Sequence, residues 1–219
     1  MLQYLEKIIQ HGDASGNNMM VRFRLPSGVE IIGLPSKNYY GGYWDLGPTW
    51  NYLVLADQAF LVDSGRFGQG RRLAEMIEAA GLKPRDLGFV LISHGHEDHD
   101  GGLAELVNIT NLKIKAHPVY DLLIRRYPGK GPPGPKGDFP AKCWHCMMPE
   151  EYFTKNCLDY HRSLQELEVD WVGDGKNEPG PSIHALHLPG HCPDSLALKI
   201  GDDALLVGDI ILPGITPMP

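Results

Sequence analysis

Cysteine is scarce in this chain: four in 219 residues, Cys143, Cys146, Cys157 and Cys192. So few in so long a chain argue against a disulfide scaffold, and a reducing cytoplasm is the expected location. Long apolar runs are missing too; none approaches the roughly 20 residues that a membrane-spanning helix needs. Met1-Leu2-Gln3-Tyr4 opens no signal-peptide pattern. Positive charge is in deficit, with 20 Lys and Arg against 27 Asp and Glu and a formal net charge of −7. A general nucleic-acid binder neutralises phosphates with clustered cations, so neither nucleic acid nor a membrane is an expected partner.

What the chain does have is a histidine-rich hexad, His94-Gly95-His96-Glu97-Asp98-His99. The apolar run 89–92 leads into it and Gly101-Gly102 follows, so the context predicts a buried strand, a ligand-bearing loop and a helix starting at Leu103. Neutral imidazoles and carboxylates are the donors a Zn²⁺-like ion takes, and catalytic zinc sites keep one position open for water. His94 and His96 can converge on one ion, and Asp98 and His99 are placed to reach a second.

The pattern H-x-H-x-D-H resembles that of the metallo-β-lactamase superfamily. Further landmarks of that family follow in order. Leu61-Val62-Asp63-Ser64-Gly65 resembles its strand-ending aspartate motif, Pro189-Gly190-His191 its third-histidine motif, and Gly208-Asp209 its bridging-aspartate motif. The resemblance covers most of the chain from about Asn51 onward. It implies that His94, His96 and His191 hold a first metal, that Asp98 and His99 hold a second, and that Asp209 bridges the two. Asp63 would orient a ligand rather than bind metal. It also implies a four-layer αββα sandwich with the metals at one sheet edge.

Members of the family usually carry a further histidine well downstream of the bridging aspartate. Only ten residues follow Asp209, and none is histidine. The expectation is therefore a C-terminally truncated form lacking a final strand and helix, with its second metal site weakened.

Hydrophobic periodicity places the other elements in an α/β order within a single domain over 1–219. Strands are expected at 21–25 and 29–32, flanking Pro26-Ser27-Gly28 as a hairpin, and at 53–55 and 59–62. Helices are expected at 71–80, 103–109 and 119–127, with a strand at 112–116. Late strands are expected at 183–188, 196–200 and 204–207.

A Pro/Gly- and Cys-rich insertion at about 128–161 interrupts this order. Nine of the thirteen residues from Pro128 to Pro140 are proline or glycine, which rules out regular structure and suits a lid, a homodimer contact or a simple surface loop. Cys143, Cys146, Cys157 and His161 follow with the spacing of a zinc knuckle, although packed cysteines are the preferred reading. Residues 113–142 carry seven Lys or Arg against two Asp, a net +5 suited to an anionic substrate tail or to a plain solvated face. His117, after a strand, is expected near the site, whereas His184 and His187 read as ordinary strand residues. Cys192, beside His191, reads as a packing residue.

The function expected is hydrolysis of an ester, thioester or lactone in a small-molecule substrate. Two ions, zinc by expectation with iron or manganese as alternatives, would generate a metal-bound hydroxide and polarise the scissile oxygen. Asp98 and Asp209 are the catalytic candidates, fixing geometry and taking a proton. His96 stands where di-iron members of the family tend to carry a carboxylate, which favours hydrolysis. The alternatives are a phosphodiesterase or nuclease of the same superfamily, a mononuclear iron sulfur dioxygenase, or a non-catalytic metal-binding fragment.

Overall fold

The computed structural model describes residues 3–37, 47–125, 158–173, 179–180 and 182–212. The Pro/Gly run at 128–140, Cys143, Cys146 and Cys157 lie outside them. In chain order the strands are β1 (Leu5–Gln10), β2 (Met20–Arg24), β3 (Glu30–Ser36), β4 (Thr49–Leu55), β5 (Phe60–Val62), β6 (Phe89–Leu91), β7 (Lys113–Ala116), β8 (Val169–Trp171), β9 (Ile183–His187), β10 (Leu196–Ile200) and β11 (Ala204–Leu206). The helices are α1 (Gly70–Ala79), α2 (Glu97–Asp100), α3 (Leu103–Thr110) and α4 (Leu158–Gln165).

Strands β1 to β8 form one sheet in sequence order, and β11-β10-β9 form a second. The first sheet runs antiparallel from β1 to β5 and parallel from β5 to β8. The parallel half needs crossover connections, and α1 and α3 supply two of them.

Strand β5 shows why two cores exist. Its three residues are all buried, and successive side chains point to opposite faces. Leu61 joins a core with Leu73, Ile77, Leu103, Leu106, Tyr160 and Leu164, between the large sheet and the helices. Phe60 and Val62 join Phe89 and Leu91 against Ile183, Ala185, Leu196 and Leu198 of the second sheet. The Phe60 and Phe89 rings stack at 4.7 Å. Helix layer, large sheet and small sheet are thus three layers of the expected four-layer arrangement. No helix among the described residues is long and apolar enough to cross a membrane.

Most expected elements form within two residues of their anticipated bounds, but β3 runs on to Ser36 and β4 starts at Thr49, each four residues beyond its expected limit. Four other features differ. The hexad is not loop throughout, because α2 winds through Glu97–Asp100 with His96 as its N-cap. The helix expected over 119–127 is a π turn at Tyr120–Arg125. Hydrogen bonds in a π turn run i→i+5, so the buried pair Tyr120 and Arg125 share one side. There Arg125 caps the carbonyls of Leu164 and Gln165 at the end of α4, each at 3.1 Å. Residues 158–161, assigned to the irregular insertion, begin that helix. The edge strands β1 and β8 lie outside the expected set: β1 is largely exposed and charged, and β8 is three residues long.

Gly70 starts α1 against the Gly102 carbonyl, and a Cβ there would lie 2.4 Å from that oxygen. Backbone cannot yield as a flexible side chain does, so Gly70→Ala should destabilise by about 1–3 kcal/mol. Leu61→Ala should cost about 2–5 kcal/mol through the cavity it leaves. Urea denaturation of both variants checks these values; wild-type midpoints would contradict the packing described.

Candidate metal centre

The parallel strands β5 and β6 deliver their C-terminal ends side by side, with Val62 in register with Leu91. Ligand sites of open α/β sheets sit at this edge. Asp63 follows β5 and the hexad follows β6, so sheet pairing alone sets the two loops against each other. The Asp63 amide donates to the Leu91 carbonyl at 2.8 Å.

Asp63 organises what comes next. Its Oδ1 accepts from the Ser93 amide at 2.7 Å, and its Oδ2 accepts from the Ser93 hydroxyl at 2.8 Å and from His99 Nδ1 at 2.8 Å. A carboxylate only accepts, so His99 donates from Nδ1 and, as the neutral tautomer a cation would bind, turns a bare Nε2 toward the site. With its single proton given to Asp63, the Ser93 hydroxyl accepts from His94 Nδ1 at 3.1 Å. That leaves His94 Nε2 bare as well. One buried carboxylate thereby sets the tautomers of two histidines.

The ring nitrogens of His94, His96 and His191 form a triad within 4.8 Å. His94 Nε2 is 3.2 Å from His96 Nδ1, which is 3.0 Å from His191 Nε2. A second triad joins His94, His99 and Asp209 within the same limit. Asp209 lies between them, with Oδ1 3.3 Å from His99 Nε2 and Oδ2 3.8 Å from His191 Nε2. Asp98 belongs to neither triad; its Oδ2 is 3.7 Å from His99 Nε2 and accepts from the Thr49 hydroxyl at 2.7 Å. Five of the six residues picked out in the sequence as ligands therefore converge, and the sixth borders them.

The donor chemistry fits a cation. His99 Nε2 is buried with no hydrogen-bond partner, an arrangement that native interiors avoid unless the group has another role. Burial, and then the neighbouring imidazoles of His99, His96 and His191, push His94 well below the usual histidine range, which keeps its lone pair free. Burial opposes charge on His99, yet the Asp98 and Asp63 carboxylates overcome it and hold that imidazole well above the usual value, so without a cation its Nε2 also holds a proton, which a bound cation would replace. Burial would likewise raise Asp98, but His99, the Thr49 hydroxyl and His96 keep its carboxyl low and ionised. Nearby Tyr52 is pushed up to about 12 by burial and by the charges of Asp63 and Asp209, so its phenol stays protonated.

Several supporting residues carry no motif, and a reading of the sequence misses them. Glu97 receives the Phe67 amide at 3.0 Å and Arg66 Nε at 3.1 Å, fastening α2 to the loop after β5. Asp100 is fully buried beneath the hexad and accepts from the hydroxyls of Tyr120 (2.9 Å) and Tyr160. Asp194 Oδ2 accepts from the Gly95 amide at 2.9 Å. Glu97, inside the hexad, and Asp100, directly after it, offer a local signal; Asp194 offers none. Cys192 is a buried free thiol, raised by burial and by Asp194; it packs. Of the basic stretch, Lys113 and Lys115 line a separate cleft of about 680 Å³ with Phe89 and Trp171, and none of the donor residues lines it.

Comparison with known proteins bears on the family and the fold. An N-acyl homoserine lactonase from a Bacillus species is 22% identical over 177 residues, covering 70% of this chain and 58% of its own length. That of Bacillus cereus is 25% identical with the same coverage. The chain thus spans 58% of the length of these curated relatives. Among solved structures, a metallo-beta-lactamase family protein from Thermus thermophilus superposes with a TM-score of 0.62 at 19% identity, over 85% of this chain and 61% of that one. MIM-2 metallo-beta-lactamase superposes with a TM-score of 0.55 at 18% identity, over 93% and 67%. At such identities the structural likeness is one of fold. The sequence profile of the metallo-beta-lactamase superfamily matches residues 44–219, from just before β4 through both donor triads, and this chain belongs to that superfamily.

Proposed function

We propose that this chain carries the metal centre of a hydrolase that opens a lactone or a related ester or thioester. The observation that carries the reading is the pair of donor triads sharing His94, with Asp209 set between them. His94, His96 and His191 would hold one zinc ion. His99 and Asp98 would hold a second, and Asp209 would serve both. The similarity to N-acyl homoserine lactonases at 22–25% identity supports a lactone as the first substrate to try. When bound, the metal would supply Lewis acidity, lowering the pKa of water and polarising the carbonyl to be attacked.

The residues of the chain do the rest. Asp63 and Ser93 orient the two imidazoles whose bare Nε2 atoms face the site. Asp98, kept ionised at neutral pH, and Asp209 are the carboxylates able to take the proton of the attacking water, at Oδ2 in each case. The Tyr52 phenol, protonated across the working range, remains a hydrogen-bond donor beside Asp209. Cys192 takes no nucleophilic part, since its raised thiol offers no thiolate near neutrality.

Removing zinc with a chelator should abolish lactone hydrolysis, and added zinc should restore it; full activity in the chelated, dialysed protein would sink the reading. A panel of acyl lactones, thioesters and bis-p-nitrophenyl phosphate decides the substrate class, with the lactone expected to be turned over fastest. Preference for the phosphodiester would reassign the site to phosphodiester chemistry.

His96→Ala leaves two donors in the first triad. Zinc affinity should fall by more than the roughly 10–100-fold that loss of an outer-shell partner costs, and turnover should vanish. Asp63→Asn keeps the shape but reverses part of the hydrogen bonding to Ser93 and His99. Zinc affinity or activity should drop about 10–100-fold, measured by competition with a chromophoric chelator. Unchanged affinity would show that the histidine tautomers are set elsewhere.

A further inference from the structure

Two histidines outside both donor triads lie face to face where the sheets meet. His117 follows β7 of the large sheet, and His187 ends β9 of the small one. Their ring centroids are 3.7 Å apart and their planes 15° from parallel. Each ring has a defined hydrogen bond. The Val119 amide donates to His117 Nδ1 at 3.3 Å. His187 Nε2 lies 2.9 Å from the Pro193 carbonyl, and since a carbonyl only accepts, that nitrogen carries the proton.

The bond to Pro193 matters because of what the segment holds. Residues 188–195 connect β9 to β10 and carry His191. The segment is closed at its base by the Leu188 amide to the Ser195 carbonyl at 2.9 Å. The hexad side is tied by Gly95 to Asp194 and by the Leu196 amide to the Ser93 carbonyl at 2.7 Å. His187 adds a tie from the β9 side, two residues beyond His191.

The His117 ring is itself held. It is buried, and Gly173, at φ +126, lies against it so closely that a Cβ would stand 3.1 Å from His117 Cδ2. Glycine adopts this backbone freely, and the absence of a side chain there makes room for the ring. Ordinary strand histidines, as both β9 histidines read in the sequence, would face solvent; His187 instead links the two sheets.

We propose that His187 is a positioning residue for His191: its Nε2–H pins the 188–195 segment through Pro193, and the stacked His117 ring holds His187 in place. This rests on the metal-binding reading above for its consequence, but the pinning itself is a property of the chain alone.

The 219-residue chain tests it with four variants, each given two measurements. His187→Phe keeps a ring for the stack and loses the donor, whereas His187→Gln keeps an N–H donor. His117→Phe keeps the stack and His117→Ala removes it. Without metal, amide hydrogen exchange across 188–195 should be about tenfold faster in His187→Phe and His117→Ala. It should be near wild type in His187→Gln and His117→Phe. Zinc affinity, read with zinc alone against a chromophoric chelator, should follow the same order, falling about 10–100-fold in the first two. Wild-type exchange in His187→Phe, or no recovery in His187→Gln relative to His187→Phe, would overturn the proposal. Faster exchange in His187→Phe with no zinc bound by any form would uphold the pinning and reject the metal-binding reading instead.

Discussion

The Asp63 carboxylate grips both ends of the metal loop at once. It takes the Ser93 amide and hydroxyl just before His94 and the His99 ring at the far end of the hexad. Asp63 itself sits at φ +65, a conformation uncommon for a residue with a side chain. The Ser64 amide, 2.7 Å from the His99 carbonyl, continues the clasp along the backbone. With both oxygens committed, the carboxylate is an organiser and not a donor to a cation. Buried hydrogen-bonded carboxylates of this kind fix ring orientation and raise the basicity of the nitrogen left bare.

Around this clasp the structure concentrates ionisable groups that would be unstable apart. Four imidazoles and the carboxylates of Asp63, Asp98 and Asp209 lie together, with His94, His99 and Asp63 buried and the others half-buried, where uncompensated charge is costly. Asp100, the last residue of α2, avoids that cost differently. Burial pushes its carboxyl well above the ordinary range, and the Tyr120 and Tyr160 hydroxyls bond both its oxygens. Those two tyrosines come from the π turn and from α4, so the metal loop is braced by elements beyond the large sheet. Arg125, capping α4 from the same π turn, completes the brace.

The small sheet contributes from the other side. Its β9–β10 connection brings His191 and Asp194 to the hexad, and the turn after β11 brings Asp209. The cluster therefore draws on both sheets, and the apolar layer between them, Phe60, Val62, Phe89 and Leu91 against Ile183, Leu196 and Leu198, sets the separation of its parts. Packing at close to crystalline density leaves little freedom in that spacing. The basic residues Lys113 and Lys115 are kept apart from the centre by the same geometry. They alternate along β7 near its start, and Lys115 Nζ lies 4.4 Å over the Phe89 ring.

The sequence by itself determined most of the element types, the hexad and its order relative to Asp63, His191 and Asp209. These are local or motif-level signals: period-2 and helical apolar spacing, glycine at helix ends, and donor residues packed within six positions. It also carried the family resemblance, which rests on those motifs. Only the tertiary structure decided that His94 serves both triads, that Asp98 stands at their border with Thr49 as its partner, and that Asp63 sets two tautomers. The same holds for the Asp100 tyrosine pair and for His117 against His187. Thr49 is 49 residues from Asp98 and Tyr160 is 60 from Asp100. Contacts at such separations leave no periodicity in the chain, because what brings the groups together is the burial of two apolar layers assembled from segments far apart in sequence.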